Sequence, residues 1–499
     1  MKYKLTLLLA FFAMASFAQS QLQVLKKPQW NTVSASDSRY GTRLNLADDN
    51  VAMIVNVPKA DFAVVTIDNK LQQKWMVTLE GFPMAMGKFK GNILVVAATD
   101  HSDSKSFTNT FIGYLIEEKT GKVITKKNIY NGTSDYMEEP QFFFAKDGSY
   151  FKMTVRLTAM KKKSRVNSTL LPLVTYLSNL GTDKDFATTV DYNLIDFDSQ
   201  LEQAQKTTPI MPVGETWDAY CAEDGTLLLL TRDSKLAQCN LAFYTSGKRE
   251  PLKTITVPVD FYKKTRGGNV QFASSETPLV YYFSLVYQNA NQDASLLVAK
   301  IDFRDNTTTI EKEIMDKAHT KELIKSFVVV NKKFDDIYFS SAYLDVKSIK
   351  EYGNQVLVAI SPNYTVSYQR SSYNADESVL LNVYDQKLKQ QYHQFIPRYY
   401  GSLKGEGSQI AFSLKGDLLR MVANQKRGLG AVTTRYAEMD MKSGKILKLI
   451  ELPKDDIRNQ YYADTEAMWW QDSSFTLPFV ERKGWFSDKV DMQFLQLSY

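Results

Sequence analysis

Cysteine and histidine are both scarce in this sequence. The chain of 499 residues contains two cysteines, Cys221 and Cys239, and three histidines, His101, His319 and His393. A zinc site needs clustered Cys or His ligands at short spacing, and a Ser-His-Asp hydrolase needs a histidine base beside its nucleophile. The scattered positions match neither pattern, so the sequence disfavours both kinds of enzyme.

Several other signals are missing. No GxxxxGK[ST] loop for nucleotide phosphates is present, no Pro/Gly-rich linker divides the chain, and no apolar run after the N-terminus reaches the length of a spanning helix, about 18 residues. The formal net charge of +6 is small and dispersed, which argues against nucleic acid as a partner. We therefore expect a single domain over residues 19–499, with no membrane span.

The N-terminus has the pattern of an export signal. Lys2 and Lys4 form a basic region, residues 5–15 are apolar, and Ala18 ends the segment with a small side chain. No cysteine follows the apolar region, so a lipid anchor on cysteine is excluded. We expect residues 1–18 to be a cleaved signal peptide and the mature protein to be periplasmic or secreted.

What the chain does contain is a repeated strand–turn–strand unit. Its clearest copies are QFFFAKDGSYFKM (141–153), DAYCAEDGTLLLL (218–230) and QIAFSLKGDLLRM (409–421). Each places a glycine, Gly148, Gly225 or Gly416, between two apolar runs, where a hairpin turn needs a residue that tolerates positive φ. Looser copies surround Gly91 and Gly353. These units predict β-hairpins.

A second kind of hairpin alternates with the first. Its turns contain Asp, Asn, Ser or Gly between an apolar strand and an alternating one. Seven copies occur, with turns at Asn69, Gly121, Ser199, Gly247, Asn306, Gln386 and Gly444. Two hairpins in succession, repeated at roughly 50 residues, are typical of the blades of a β-propeller. The first hairpin would supply strands a and b of a blade, and the second would supply strands c and d.

The predicted fold class is therefore all-β, an eight-bladed β-propeller. An eighth strand c, residues 489–497, lacks a following partner, and residues 22–27 form a strand without a hairpin. Pairing these two strands would close the ring and remove its free edges. Seven blades remain an alternative to eight, because the sixth unit is irregular. A pair of β-sandwiches would leave the long periodicity unexplained.

Two insertions stretch the repeat. The first, near 157–188, would extend the connection between strands b and c of the third blade. The second, near 317–347, contains the strand-like runs SFVVV and DIYFSSAYL, which would form an extra hairpin on the sixth blade or a degenerate blade. Residues 316–325 have helical patterning. Long loops are often functional, so both insertions are binding candidates.

The second hairpins resemble the blade repeats of quinoprotein-type propellers. IEEKTGKVI and MDMKSGKIL show the pattern best, and TIDNKLQQKW with Trp75 shows it in part. The resemblance implies a superfamily that includes quinone-dependent dehydrogenases and non-catalytic envelope scaffolds for outer-membrane protein assembly. The enzymes commonly have adjacent cysteines beside the quinone, and this sequence has none. We therefore expect no quinone cofactor.

The candidate site is the rim where strand d of one blade leads into strand a of the next, because strand a lines the central channel of a propeller. Acidic and aromatic residues gather at the starts of these strands. They are Glu138, Glu139, Glu215, Trp217, Asp218, Glu406, Asp464, Glu466, Trp469 and Trp470. Such acids could bind Ca²⁺, act as an acid/base pair in a glycosidase, hold a basic peptide, or simply solvate the channel mouth. The tryptophans fit a sugar or peptide platform and packing between blades equally well.

The favoured function is a non-catalytic binding or assembly scaffold of the bacterial cell envelope, acting through its loops and channel mouth. The partner would be an envelope protein or a glycan, and we expect a monomer without a cofactor, Ca²⁺ excepted. The alternative is a carbohydrate-active enzyme, a glycoside hydrolase or lyase that uses carboxylates; a sensor or solute-binding module is a third class.

The two cysteines are expected to be free thiols. Cys221 falls on strand a and Cys239 on strand c of the fourth blade, with strand b between them. Two strand spacings separate them by about 10 Å, and a disulfide needs Cα atoms within about 7 Å.

Overall fold

The computed structural model describes most of the chain after residue 22. The described residues are 23–26, 29–30, 43–55, 57, 60–99, 110–132, 136–159, 189–222, 224–233, 235–262, 269–327, 336–368, 371–402, 408–426, 432–452, 461–482 and 490–499. The predicted signal peptide lies outside these ranges, as do residues 160–188 of the first predicted insertion. No helix in the described part has the length and apolar character needed to cross a bilayer.

The described strands form eight antiparallel sheets, each with its strands in the order a, b, c, d. Blade 1 consists of Arg43–Asn45, Val51–Val55, Phe62–Ile67 and Gln73–Leu79; blade 2 of Phe82–Phe89, Asn92–Ala98, Thr110–Ile116 and Val123–Asn131. Blade 3 consists of Tyr136–Phe144, Phe151–Ala159, Thr189–Phe197 and Gln203–Thr207; blade 4 of Glu215–Cys221, Leu227–Asp233, Gln238–Tyr244 and Lys253–Pro258.

The second half of the chain continues the pattern. Blade 5 consists of Asn269–Ser274, Val280–Gln288, Ala294–Asp302 and Thr307–Ile314; blade 6 of Leu344–Tyr352, Gln355–Tyr368, Val379–Asp385 and Gln390–Ile396. Blade 7 consists of Ile410–Lys415, Leu418–Gln425, Thr433–Asp440 and Lys445–Glu451. Blade 8 has Tyr461–Ala463 and Trp469–Trp470 as a split strand a, then Ser474–Arg482 and Val490–Ser498. Short 3-10 turns occupy Ala47–Asp49 and Ser341–Tyr343.

The N-terminal strand closes the ring. Gln23–Lys26 and Gln29–Trp30 pair antiparallel with strand c of blade 8 and so supply its strand d. Within this pairing Gln23 faces Ser498 and Val24 faces Leu497. The predicted eight-bladed propeller with N-terminal closure is confirmed.

The hydrophobic core is divided among the blade interfaces. Each of the eight buried clusters joins residues of two neighbouring blades, and the series includes the contact between blades 8 and 1. Strands b and c are almost fully buried, as in Leu227–Asp233, whereas strand d alternates with solvent, as in Lys253–Pro258. Burial of this kind, spread around a ring, holds each blade through both of its faces.

Strand a is the innermost strand of each blade. The first strands of neighbouring blades approach one another between blades 1 and 2, 2 and 3, and 5 and 6. Most of their side chains are half-buried, as in Glu215–Cys221 and Ile410–Lys415. Partial exposure at the centre of the ring indicates a water-accessible channel. Strand a of each blade lines this channel, and the starts of these strands form one rim.

The second predicted insertion differs from expectation. Residues Lys317–Ser326 form a helix, capped at its start by the side chain of Asp316, which accepts the N–H of His319. Residues 336–343 contain no strand, and Leu344–Tyr352 is strand a of blade 6. The extra hairpin lies further on: Gln355–Tyr368 extends beyond the blade and pairs with Ser371–Asp376, which in turn pairs with Tyr400–Ser402. Of the two runs predicted to form a hairpin at 317–347, DIYFSSAYL (336–344) contains no strand before Leu344, and residues 328–330 of SFVVV lie outside the described residues.

Candidate functional site

A β-bulge shapes the start of strand a in blade 4. Thr216 is opposite Thr231 and Asp218 is opposite Leu230, which leaves Trp217 as an extra residue in the ladder. A bulge bends its strand and re-aims the side chains around it. This explains how the consecutive residues Trp217 and Asp218 both line one cleft, although neighbours in a regular strand point to opposite faces.

That cleft lies between the inner parts of blades 3 and 4. Its volume is about 200 Å³. Each lining residue is on a strand: Gln141, Arg156 and Tyr192 come from strands a, b and c of blade 3, and Thr216, Trp217, Asp218 and Ala219 from strand a of blade 4. A site built on strands of two packed blades is held more rigidly than one built on loops.

Hydrogen bonds link the polar groups of the cleft into a network. Gln141 Nε2 donates to Asp218 Oδ1 at 3.1 Å, and the backbone N–H of Ala219 donates to the same oxygen at 2.8 Å. The hydroxyls of Thr154 and Tyr192 lie 3.5 Å from Gln141 Oε1. These contacts set the orientation of the Gln141 amide and of the Asp218 carboxylate before any ligand arrives.

The cleft contains one group of each charge. Burial raises the pKa of Asp218, while the Gln141 amide, the Ala219 N–H and the positive charge of Arg156 act in the opposite direction. Arg156 Nη1 also donates to the carbonyl of Thr216 at 3.2 Å. Because the guanidinium and the carboxylate offset each other, the cleft is close to neutral while remaining strongly polar.

Trp217 is fixed from its other side. Its ring lies 5.4 Å from that of Phe261, and the guanidinium of Arg232 is 5.7 Å from the centres of both rings. Arg232 is buried and forms an ion pair with Glu215 at 3.3 Å. Glu215, one of the predicted site residues, thus holds the Arg232 side chain that packs on Trp217. It does not line the cleft. Trp217 packs between blades and also faces the cleft, and its role as a sugar or peptide platform stays a prediction.

A second pair of predicted residues meets in blade 8. Strand a of that blade is interrupted between Ala463 and Trp469, and the intervening residues present Asp464 and Glu466. Asp464 Oδ1 accepts the N–H of Ala467 at 3.2 Å. Burial raises the pKa of Asp464 to about 6. Glu466 reaches solvent, yet the surrounding protein and then the charge of Asp464 raise its pKa to about 7.

The remaining predicted site residues divide into packed and undescribed positions. Trp469 is buried against Phe494, and Trp470 packs on Phe475. Glu138 and Glu139 lie on strand a of blade 3, but their side chains are outside the described set, as is all of Glu406. The structure therefore brings together Trp217 with Asp218, and Asp464 with Glu466.

Sequence reasoning missed the contribution of blade 3. Gln141, Arg156 and Tyr192 line the cleft, yet none was among the candidates. One signal was available: the central strand FKMTVRL (151–157) contains two charged residues, Lys152 and Arg156, and a charged side chain there needs a partner or a solvent-filled space. Gln141 and Tyr192 have no comparable signature.

Both cysteines are free, as predicted. Cys239 is buried, Cys221 is half-buried, and burial raises their pKa values to about 12 and about 11. Neither thiol is therefore an activated nucleophile. Within the described ranges no three His, Cys, Asp or Glu side chains form a group suited to a metal ion. Ca²⁺ at the rim stays a prediction.

Comparison with known proteins gives similarity of fold. No protein-family model and no curated protein matches the chain in sequence. Among solved structures, BamB from Moraxella catarrhalis is similar over 95% of this chain and 99% of its own, with 9% identity and a TM-score of 0.40. A europium-containing methanol dehydrogenase is similar over 96% and 93%, with 10% identity and a TM-score of 0.45.

Proposed function

We propose that the protein is a non-catalytic binding scaffold of the cell envelope that holds a partner protein at the rim of blade 4. The observation that carries this proposal is a pair of exposed apolar side chains beside the cleft. Val213 is 71% exposed and Leu236 is 64% exposed. Val213 precedes strand a, and Leu236 is in the turn from strand b to strand c, so both lie at the same end of the blade.

The backbone under this pair is held in place. The carbonyl of Val213 accepts hydrogen bonds from Thr231 Oγ1 at 2.9 Å and Asn240 Nδ2 at 2.8 Å. The N–H of Leu236 donates to Asp233 Oδ1 at 3.1 Å. A backbone fixed in this way loses little conformational freedom when a partner covers the two side chains, which favours binding.

Location in the envelope is supported by the predicted signal peptide at residues 1–18. The scattered positions of the two cysteines and three histidines support a binding role over catalysis by a cysteine or histidine group.

The test is site-specific photo-crosslinking in the native envelope. A crosslinking amino acid at position 236 should capture a discrete partner band. The same residue at position 252 should not: Leu252 is 62% exposed, but it follows strand c at the opposite end of the same blade. Val213→Ser combined with Leu236→Ser should abolish co-purification of that partner, and Leu252→Ser should retain it. The proposal would be contradicted if positions 236 and 252 captured the same band, or if both sets of serine substitutions had the same effect on co-purification.

The carbohydrate-active enzyme remains the second candidate because of Asp464 and Glu466. A carboxyl group with a pKa near 6 or 7 is suited to general acid catalysis of glycoside hydrolysis. If this is correct, purified protein should release dye from an aryl glycoside, and Glu466→Gln should reduce that rate by at least about 100-fold. Turnover that is undetectable, or equal in the variant, would remove this candidate.

A further inference from the structure

We infer that the cleft between blades 3 and 4 is a binding site for one neutral pyranose unit of a glycan. This inference concerns a small ligand and does not rest on the protein partner proposed at Val213 and Leu236. Three features of the cleft carry it: its size, its balanced charges, and the aromatic ring beside them.

The size limits the ligand to about one ring. Pockets for drug-sized molecules commonly measure about 300–1,000 Å³, and this cleft measures about 200 Å³. A single saccharide unit suits such a space, with the neighbouring units of a longer glycan extending into the channel.

The charges select against ions and against apolar ligands. A lone cation near Asp218 would be repelled by Arg156, and a lone anion near Arg156 would be repelled by Asp218. An apolar ligand would remove water from both groups without replacing their hydrogen bonds, which is costly. Vicinal hydroxyls satisfy both groups at once, because one hydroxyl donates to the Asp218 carboxylate while its neighbour accepts from the Arg156 guanidinium.

Trp217 supplies the remaining contact. A pyranose ring has an apolar face of C–H groups and a rim of hydroxyls, so it needs an aromatic surface next to polar side chains. The bulge places Trp217 and Asp218 side by side on the cleft wall. The Phe261 ring and the Arg232 guanidinium hold the indole in position. The polar network through Gln141 is likewise formed in advance.

The test is titration of the purified full-length mature protein with a panel of neutral methyl pyranosides and N-acetylhexosaminides. Binding is measured by intrinsic fluorescence and by calorimetry. At least one sugar should bind with a millimolar or lower Kd. Asp218→Asn should weaken binding at least tenfold, since the amide keeps the oxygen that Gln141 and Ala219 contact but lacks the charge. Trp217→Phe should weaken it as well.

Asp260→Asn is the matched control. Asp260 lies in the connection that follows strand d of blade 4, where it accepts a hydrogen bond from Tyr287 at 2.7 Å, and it does not line the cleft. Its variant should bind sugar like the wild type. Folding of each variant is checked by its circular dichroism and Tm.

Three outcomes would overturn the inference. The first is that no sugar in the panel binds, and the second is that binding survives both Asp218→Asn and Trp217→Phe. The third is that a free amino acid, which has one group of each charge, displaces the sugar at lower concentration. The crosslinking partner of position 236 separates the two proposals. Its capture should persist in Asp218→Asn, and sugar binding should persist in Val213→Ser with Leu236→Ser.

Discussion

Three leucines in the turns between strands c and d adopt a backbone conformation that leucine rarely takes. Leu71, Leu201 and Leu388 have φ values of 61°, 58° and 59°. Left-handed backbone costs a non-glycine residue about 1–2 kcal/mol, and burying a leucine contributes about 1.5–3 kcal/mol. All three are at least 94% buried against the preceding blade. Packing therefore outweighs the backbone strain.

An aspartate three residues earlier fixes each of these turns. Oδ1 of Asp68, Asp198 and Asp385 accepts two backbone N–H groups of its own turn. The sequence predicted these turns but centred them on Asn69, Ser199 and Gln386, one residue after each aspartate. The motif Asp-x-x-Leu was the better signal, and it could not be read from turn propensity alone.

Glycine in the other turns makes room for the neighbouring blade. A Cβ at Gly121, where φ is +75°, would lie 2.6 Å from the ring of Trp75 in blade 1. The indole Nε1 of Trp75 donates to the carbonyl of Glu118 at 3.1 Å in the same turn. Gly444 has the same relation to Tyr392 of blade 6. These contacts dock one blade onto the next.

The first prediction compares two glycines of blade 2. Gly91 has φ +77°, and a Cβ added there would meet nothing within 4 Å. Gly91→Ala should therefore cost only about 1–2 kcal/mol, the strain of left-handed backbone. Gly121→Ala should cost about 1–3 kcal/mol more, because Trp75 must move. Urea unfolding monitored by circular dichroism measures both. Equal losses would show that Trp75 yields without cost.

At the scale of the element, bulges at strand a alternate around the ring. Blades 2, 4 and 6 have one extra residue there, at Met84, Trp217 and Lys347, and blade 8 has the longer interruption between Ala463 and Trp469. Strand a of blades 1, 3, 5 and 7 pairs without a shift. The extra residue in each of the three single bulges is neither glycine nor proline, so residue type does not reveal these bulges in advance.

The second prediction concerns the interruption in blade 8. Carboxyls of an unfolded chain titrate near pH 4, whereas Asp464 and Glu466 have folded-state pKa values of about 6 and about 7. Between about pH 4 and pH 7 the folded protein therefore binds more protons than the unfolded chain. Its stability should fall as pH rises through this range and then level off. Glu466→Gln should flatten the dependence of Tm on pH between about 5 and 8.

Glu322→Gln serves as its control, because Glu322 is exposed on the helix Lys317–Ser326. That variant should keep the wild-type slope. If Glu466→Gln also keeps it, the carboxyl of Glu466 titrates alike in the folded and unfolded chain.

The hairpin that extends from blade 6 shows where sequence reasoning fails at this scale. Pro362 lies inside the 14-residue strand Gln355–Tyr368, and proline normally argues against an interior strand position. Here it occupies the point where the strand leaves its blade partners, and its carbonyl accepts the N–H of Glu377 at 3.1 Å. Only the strand pairing in the folded protein distinguishes this position from an ordinary strand end.

For the whole molecule, the blade count and the closing strand followed from the sequence because each hairpin is local and repeats. The cleft followed only in part. Trp217 and Asp218 were found from their position at the rim, whereas Arg156 and Tyr192 reach the same space from strands b and c of another blade. Contacts between blades depend on ring geometry, which periodicity does not encode.

The third prediction tests closure. Removing residues 19–30 deletes both segments that pair with strand c of blade 8 and exposes the edge of Val490–Ser498. We expect a sharply lower Tm and a greater tendency to aggregate, since an unpaired edge is a template for other chains. Thermal unfolding and light scattering measure these effects. An unchanged Tm would mean that closure contributes nothing to stability.

Closure also sets an order of events during synthesis. Gln23 pairs with Ser498, so the first strand of the ring leaves the ribosome long before its partner exists. Blades with local hairpins can form meanwhile, but the last interface must wait for a contact of very high sequence separation, which is slow to form. During that interval the apolar faces of the first blade and of the last blade formed are uncovered, and this is the stage at which a chaperone would have most to protect.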